Sequence, residues 1–270
     1  MNLSSQPWIV GVLLGLLLFS SGMVHAGMTP GEVKEFEGYK TKADQGDAMA
    51  QNSLGYCFAS GEGVAKDDVK ALSWYRKAAE QGLAKAQLNL GLCYGSGFGA
   101  AKDYVQAAYW FRKAADQGVA RAQYNLGNRY YDGKGVERDY VKAVFWLHKA
   151  AEQGLAGAQH NLGNNYREGE GVAKDDVQAV FWWRKAAEQG NALSQFNLGT
   201  RYLNGEGVAM DVTEGYAYWI LAAITDEDVR PEVATFGKKL SADQVAVAKI
   251  RAKKLQEEFE AKLKAQNTSK

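Results

Sequence analysis

A chain of 270 residues with 46% hydrophobic and 23% charged residues has the material for a packed core, which excludes disorder along its whole length. Lys and Arg total 32 against 31 Asp and Glu, and a formal charge of +1 supplies no dominant basic field for nucleic acid or an anionic lipid surface. Two cysteines and three histidines are too few for a disulfide framework or a zinc cluster, so no metal or other cofactor is expected.

An apolar stretch from Trp8 through Val24 leads into Val24-His25-Ala26, small or short residues that suit cleavage before Gly27. The segment before it carries no Lys or Arg. The run is shorter than the ~20 apolar residues a spanning helix needs, and Ser20, Ser21 and Gly22 interrupt it, so residues 1–26 are expected to be a cleaved signal peptide rather than a membrane anchor. No cysteine follows Ala26 to take a lipid. Removing 26 of the 270 residues leaves 244, with no stable membrane insertion expected of them. Residues 27–45 then form an N-terminal capping helix, because Thr29-Pro30-Gly31-Glu32 is a capping box with proline at the first helical position.

Gly46, Gly82, Gly118, Gly154 and Gly190 each stand 36 residues apart and open five copies of one unit, at 46–81, 82–117, 118–153, 154–189 and 190–225. Ten positions are identical in all five; in the fourth copy they are Gly154, Ala156, Gln159, Leu162, Gly163, Gly169, Gly171, Asp175, Ala186 and Ala187. Pairs such as Leu90 with Tyr94, or Leu162 with Tyr166, lie four apart on one helical face. A glycine pair breaks that helix. Asp67, Asp103, Asp139, Asp175 and Asp211 then stand where an N-cap is needed for a second helix, which explains them without catalysis. That helix ends in Lys-Ala-Ala-Glu-Gln or a close variant in the first four copies, and the next copy's glycine stops it. Runs such as Tyr109-Trp110-Phe111 resemble buried strands, but the alanine tail and the caps favour helix. One copy cannot bury these aromatics alone, so the copies must stack into a solenoid in which most aromatics serve the core.

Residues 226–266 are expected to form C-terminal capping helices. Ser241-Ala242-Asp243-Gln244 is a second capping box, and Val245, Ala248, Ala252, Leu255, Phe259 and Leu263 make one apolar stripe that packs on the fifth copy. Too few clean heptads follow for a dimeric coiled coil, which favours a monomer. Residues 267–270 are expected to be a disordered tail.

The recurring pattern Ala-x-Ala-Gln-x-x-Leu-Gly-x-x-Tyr-x-x-Gly-x-Gly-Val, followed by Asp-x-x-x-Ala-x-x-Trp-x-x-Lys-Ala-Ala-Glu-Gln-Gly, resembles the Sel1-like repeat family, relatives of the tetratricopeptide repeats. Departures fall mostly in the outer copies: Phe58 stands for the tyrosine, Ala100 for the valine, Gly215 for the helix alanine, and the last tryptophan shifts to Trp219. The resemblance implies an all-α, right-handed superhelical α/α solenoid. It also implies a bacterial periplasmic or secreted protein that works as an adaptor or scaffold, binding a partner protein or peptide in its concave groove. A glycan or peptidoglycan binder is the alternative, and a β-lactamase-like hydrolase is a more distant one. Cysteine-rich members of the family are associated with β-lactams, but their helix-to-helix cysteine pairing finds Ala79 or Ala115 at the second position here.

No Ser-x-x-Lys, Gly-x-Ser-x-Gly, His-Glu-x-x-His or phosphate-loop pattern occurs, so no enzyme is expected. His148 takes a position held elsewhere by Arg76, Arg112 and Arg184, which marks a surface residue, and His160 has no evident carboxylate partner. Cys57 and Cys93 occupy the same place in adjacent copies. Neighbouring helices roughly 8 to 10 Å apart hold such residues beyond disulfide reach, so free thiols, semi-buried between copies, are expected. Positions that vary between copies are free for recognition. With ~100° per residue, Leu126 and Tyr130 face inward, and Arg121, Tyr124, Asn128 and Tyr131 fall on the opposite side. The fourth copy offers Gly157, His160, Asn164 and Arg167 at the equivalent places, flanked by apolar Leu88 and Leu92 on one side and Leu193, Phe196 and Leu203 on the other. Together these seven polar side chains are the expected partner-binding set.

Overall fold

The computed structural model describes residues 28–268, so the leader reading of residues 1–26 lies outside the described residues. Among them are thirteen helices and no strand, an all-α solenoid built from helix pairs. The chain divides into two compact units, one ending at Gln117 and one beginning at Gly118. Unit 1 holds α1 (Pro30–Asp44), α2 (Ala48–Ser60), α3 (Asp68–Glu80), α4 (Ala84–Ser96) and α5 (Tyr104–Asp116). Unit 2 holds α6 (Ala120–Asp132), α7 (Tyr140–Glu152), α8 (Ala156–Glu168), α9 (Asp176–Ala187), α10 (Ala192–Asn204), α11 (Val212–Thr225), α12 (Arg230–Gly237) and α13 (Ala242–Thr268).

Each helix start and stop has a local chemical cause. The five repeat aspartates are N-caps: Asp139 Oδ1, for example, accepts from Lys142 N at 2.9 Å, and Asp175 Oδ1 from Val177 N and Gln178 N at 2.9 and 3.0 Å. First helices end on a glycine in the left-handed region, with φ between 70° and 87°. The second glycine of each pair has a different duty. Gly171 also has positive φ, 72°, and a Cβ there would drive into the carbonyl of Tyr140 at the start of the preceding copy's second helix, so its bareness lets the copies close up. Gly163 serves the pair inside one copy, since a Cβ would come within 2.6 Å of the Trp183 ring.

The invariant glutamine of the first helix ties the copies together. Gln159 is 4% exposed; its Nε2 donates at 3.1 Å to the carbonyl of Ala151 in the last turn of α7, which also accepts from Gly154 N at 3.0 Å, and its Oε1 accepts from Gln189 Nε2 at 2.8 Å. Gln51, Gln87 and Gln195 make the same bond to Ala43, Ala79 and Ala187. A buried amide is stable only when such partners are supplied, and here the repeat supplies them at a fixed 8- and 30-residue separation.

Inside each unit, repeat leucines such as Leu54, Leu90, Leu126, Leu162 and Leu198 are wholly buried, together with the alanine pairs of the second helices. Most aromatics among the described residues serve the core, as expected, but each aromatic run divides. Phe111, Trp146 and Trp182–Trp183 are buried, whereas Tyr109, Phe145 and Phe181 are about half exposed, because consecutive helical residues point ~100° apart and cannot all face inward. Lys113, Lys149 and Lys185 lie over those three rings at 5.3, 4.6 and 5.0 Å.

The ends are covered. In unit 1 the Thr29–Glu32 capping box starts α1, and Phe36 meets Phe58 edge-to-face at 5.6 Å. In unit 2, Ser241 and Gln244 form the second box, and Ala248, Ala252, Leu255 and Phe259 of α13 are buried in one cluster with α11. Arg251 adds a bidentate pair to Glu214 at 2.7 and 3.0 Å. The helix continues to Thr268, two residues into the segment expected to be a tail. Cys57 and Cys93 are free thiols, each 5% exposed and therefore buried rather than semi-buried.

Candidate functional site

The varied positions of α6 and α8 in unit 2 do not form a plain solvated face; most are knitted to one another. Asn164 is the centre. The indole Nε1 of Trp183, which only donates, bonds its Oδ1 at 3.1 Å and so fixes the amide with Nδ2 turned to His160 Nε2, 3.1 Å away. An imidazole that accepts at Nε2 carries its proton on Nδ1, which donates to Ser194 Oγ at 2.8 Å. Burial, and after it the charge of Arg167, lower the His160 pKa and keep this ring neutral. Asn197 Nδ2 also reaches Asn164 Oδ1, at 3.4 Å, and Asn161 Nδ2 donates to Asn128 Oδ1 at 2.9 Å.

Around this network, Tyr131 Oη donates to Glu170 at 2.7 Å, a bond that with burial pushes the phenol up to about 12. Arg167 pairs with Glu168 and lies over the Trp183 ring at 5.8 Å; Arg201 lies over the same ring at 5.7 Å and pairs with Glu206. Burial, followed by Arg167, lowers the Arg201 pKa. Tyr124 rests where a side chain on Gly157 would touch it, so the glycine makes its space. Arg121 is exposed at the start of α6. A cavity of 120 Å³ opens among Tyr131, Leu147, Asn161, Asn164 and Asn165.

The expected set is therefore gathered in unit 2, but His160 and Asn164 are half-buried structural partners as well as surface groups. Asn161, Asn165, Ser194 and Glu170 belong to the same arrangement and were not anticipated. Asn161 had a signal, since asparagine recurs at its position in Asn89, Asn125 and Asn197. The apolar flanks shrink. Leu88 is buried and Phe196 stacks on Trp219 at 4.8 Å, leaving Leu193 exposed. The His160–Ser194 pair resembles a base and nucleophile, but Ser194 is 0% exposed and gives a substrate no approach. Among the described residues, no His, Cys, Asp and Glu side chains gather in threes to hold a metal ion.

Stacked two-helix repeats, with invariant positions inside and varied polar ones at the surface, define a repeat scaffold of the kind that presents a surface to other proteins. The Sel1 repeat model matches residues 48–83, 84–119, 120–155, 156–191 and 192–224, and the chain belongs to the Sel1 repeat family. Such repeats generally mediate protein–protein interaction, and the fold is typically a non-enzymatic scaffold. The chain is similar to a protective antigen of uropathogenic Escherichia coli strains displaying an SLR fold, with 38% identity and a TM-score of 0.74 over 84% of this chain and 48% of that one. It therefore spans about half of that relative's length. It is also similar to a Sel1 repeat protein from Oxalobacter formigenes, with 34% identity and a TM-score of 0.68 over 79% of this chain and 85% of the other. No curated protein matches the chain. No helix among the described residues is long and apolar enough to cross a membrane.

Proposed function

We propose that the chain is an exported adaptor that binds a segment of a partner protein on the polar face of α6 and α8, with Asn128, Tyr131, Asn164 and Arg167 supplying affinity and Arg121, Tyr124 and His160 bordering them. The observation that carries this reading is the contrast within unit 2: the copy-invariant Gln159, Leu162 and Gly163 are buried, while two of the varied residues, Tyr131 and Asn164, line an open cavity with Asn161 and Asn165. The cavity's amides suit a peptide backbone, and the Arg167 guanidinium, half-buried on the same helix as Asn164, suits an acidic side chain. Residues 1–26 supply the export signal, leaving a periplasmic or secreted monomer that starts near Gly27.

A photo-crosslinking residue in place of Tyr131, compared with one in place of the outward-facing Phe145, tests the binding face in cells of the native host. The expected result is a discrete cross-linked protein from position 131 and none from 145; the reverse pattern places the partner on the other side of the repeats. N-terminal sequencing of the protein recovered from the envelope or medium tests export, and an intact Met1 would contradict it.

A further inference from the structure

A second cavity, of 410 Å³, opens in unit 1 where α1, α2, α3 and α4 converge, and it shares no residue with the face in unit 2. Its lining carries the carboxylates of Glu32, Glu35 and Glu62 against the single ammonium of Lys85. Glu32 is occupied by the capping box, but Glu35 and Glu62 have no ion-pair partner among the described residues. Tyr39 and Tyr56 add aromatic walls, and Tyr56 Oη donates to Glu62 Oε1 at 3.3 Å, which holds that carboxylate at the rim. The Cys57 thiol at the same cavity is raised first by burial and then by Glu62, with Glu35 adding to it, so both carboxylates project negative potential into the space.

A separate observation points to a ligand. Asn52, which lines the cavity, is 7% exposed; its Oδ1 accepts from Asn89 Nδ2 at 2.9 Å, yet its own Nδ2 donates to no group among the described residues. That Nδ2 is not sealed in, so it keeps access to the cavity and can donate to a group that enters it. Free carboxylates beside aromatic faces suit a cation, and a spare N–H suits a carbonyl.

We propose that this cavity takes the cationic side chain of a lysine or arginine in an extended partner segment, with Glu35 and Glu62 pairing its charge and Asn52 Nδ2 donating to a carbonyl of the segment's backbone. The site goes beyond the face in unit 2 and stands or falls separately from it. Acetyl-Ala-Ala-Arg-Ala-Ala-amide and its norleucine counterpart, titrated into the isotopically labelled full chain, provide the test. The arginine peptide shifts the side-chain amide signals of Asn52 and Asn89 and the norleucine peptide does not. The exposed double substitution Glu35→Gln, Glu62→Gln leaves the fold intact and weakens that binding by at least about tenfold. Equal binding of both peptides, unchanged affinity in the double variant, or no shift at those amides overturns the proposal. So does self-association that perturbs them without peptide, which would give the cavity to a second copy.

Discussion

Gln159 shows how one repeated residue holds two copies. Replacing it with leucine keeps the bulk but takes one donor from the Ala151 carbonyl, which keeps the backbone N–H of Gly154 at 3.0 Å, and the acceptor from the half-buried Gln189 amide, a loss of about 1–3 kcal/mol in all. Gln159→Leu is therefore expected to lower the urea midpoint markedly, while the same change at exposed Gln106 stays within about 0.5 kcal/mol. The identity of the glutamine in all copies was legible in the sequence; its two partners were not, because they lie 8 and 30 residues before and after it and no local pattern links them. His160 gives a second expectation at this scale. Its pKa is lowered on folding, so the unfolded chain takes up the proton first as pH falls below the ordinary imidazole value of 6.5. The contribution is present in full above 6.5 and is lost below it, down to the folded pKa. Urea midpoints of the wild type should fall more steeply across that window than those of His160→Gln, and parallel curves would show that His160 does not titrate with folding.

Helices whose ends carry side-chain or glycine signals were readable one by one: the aspartate before each second helix and the glycine after each first helix are local chemistry, which a sequence displays directly. α12 is the contrary case. It has eight residues, no side-chain N-cap and a single buried residue, Val233, and only Pro231 and Glu232 in its first turn mark its start within the C-terminal segment. The same poverty of anchors predicts its dynamics. By hydrogen exchange, α12 amides should open locally and exchange well before those of α11, which buries Tyr216, Ala217, Tyr218, Trp219, Leu221 and Ala222. Equal protection in the two helices would mean that Val233 and the contacts of Phe236 with Tyr216 and Trp219 hold α12 as firmly as α11 is held. The candidate sites were still less legible than α12. Residues of the unit 1 cavity come from α1, α2, α3, α4 and the turn at Glu62, each ordinary in its own segment, and only folding makes their carboxylates neighbours.

At the scale of the molecule, a repeat array gains its stability from each copy's contacts with its neighbours, so damage should remain where it is made. Unit 1 has a core around Phe36, Leu54, Tyr75 and Leu90, and unit 2 ends in another around Trp183, Trp219, Leu255 and Phe259. Leu255 is 2% exposed in the second of these, where α13 covers the fifth copy. Truncation to alanine removes packing from α11 and α13 and leaves a cavity, at a cost of about 2–5 kcal/mol. In a single cooperative globule that loss would lower protection of every slowly exchanging amide alike. In a stack of neighbours it should speed exchange in α11 and α13 and fade through α9, while amides of α2 and α4 in unit 1 keep their wild-type rates. Hydrogen exchange of Leu255→Ala under native conditions distinguishes the two, and a uniform loss of protection reaching Leu54 and Leu90 would show that the five copies unfold as one.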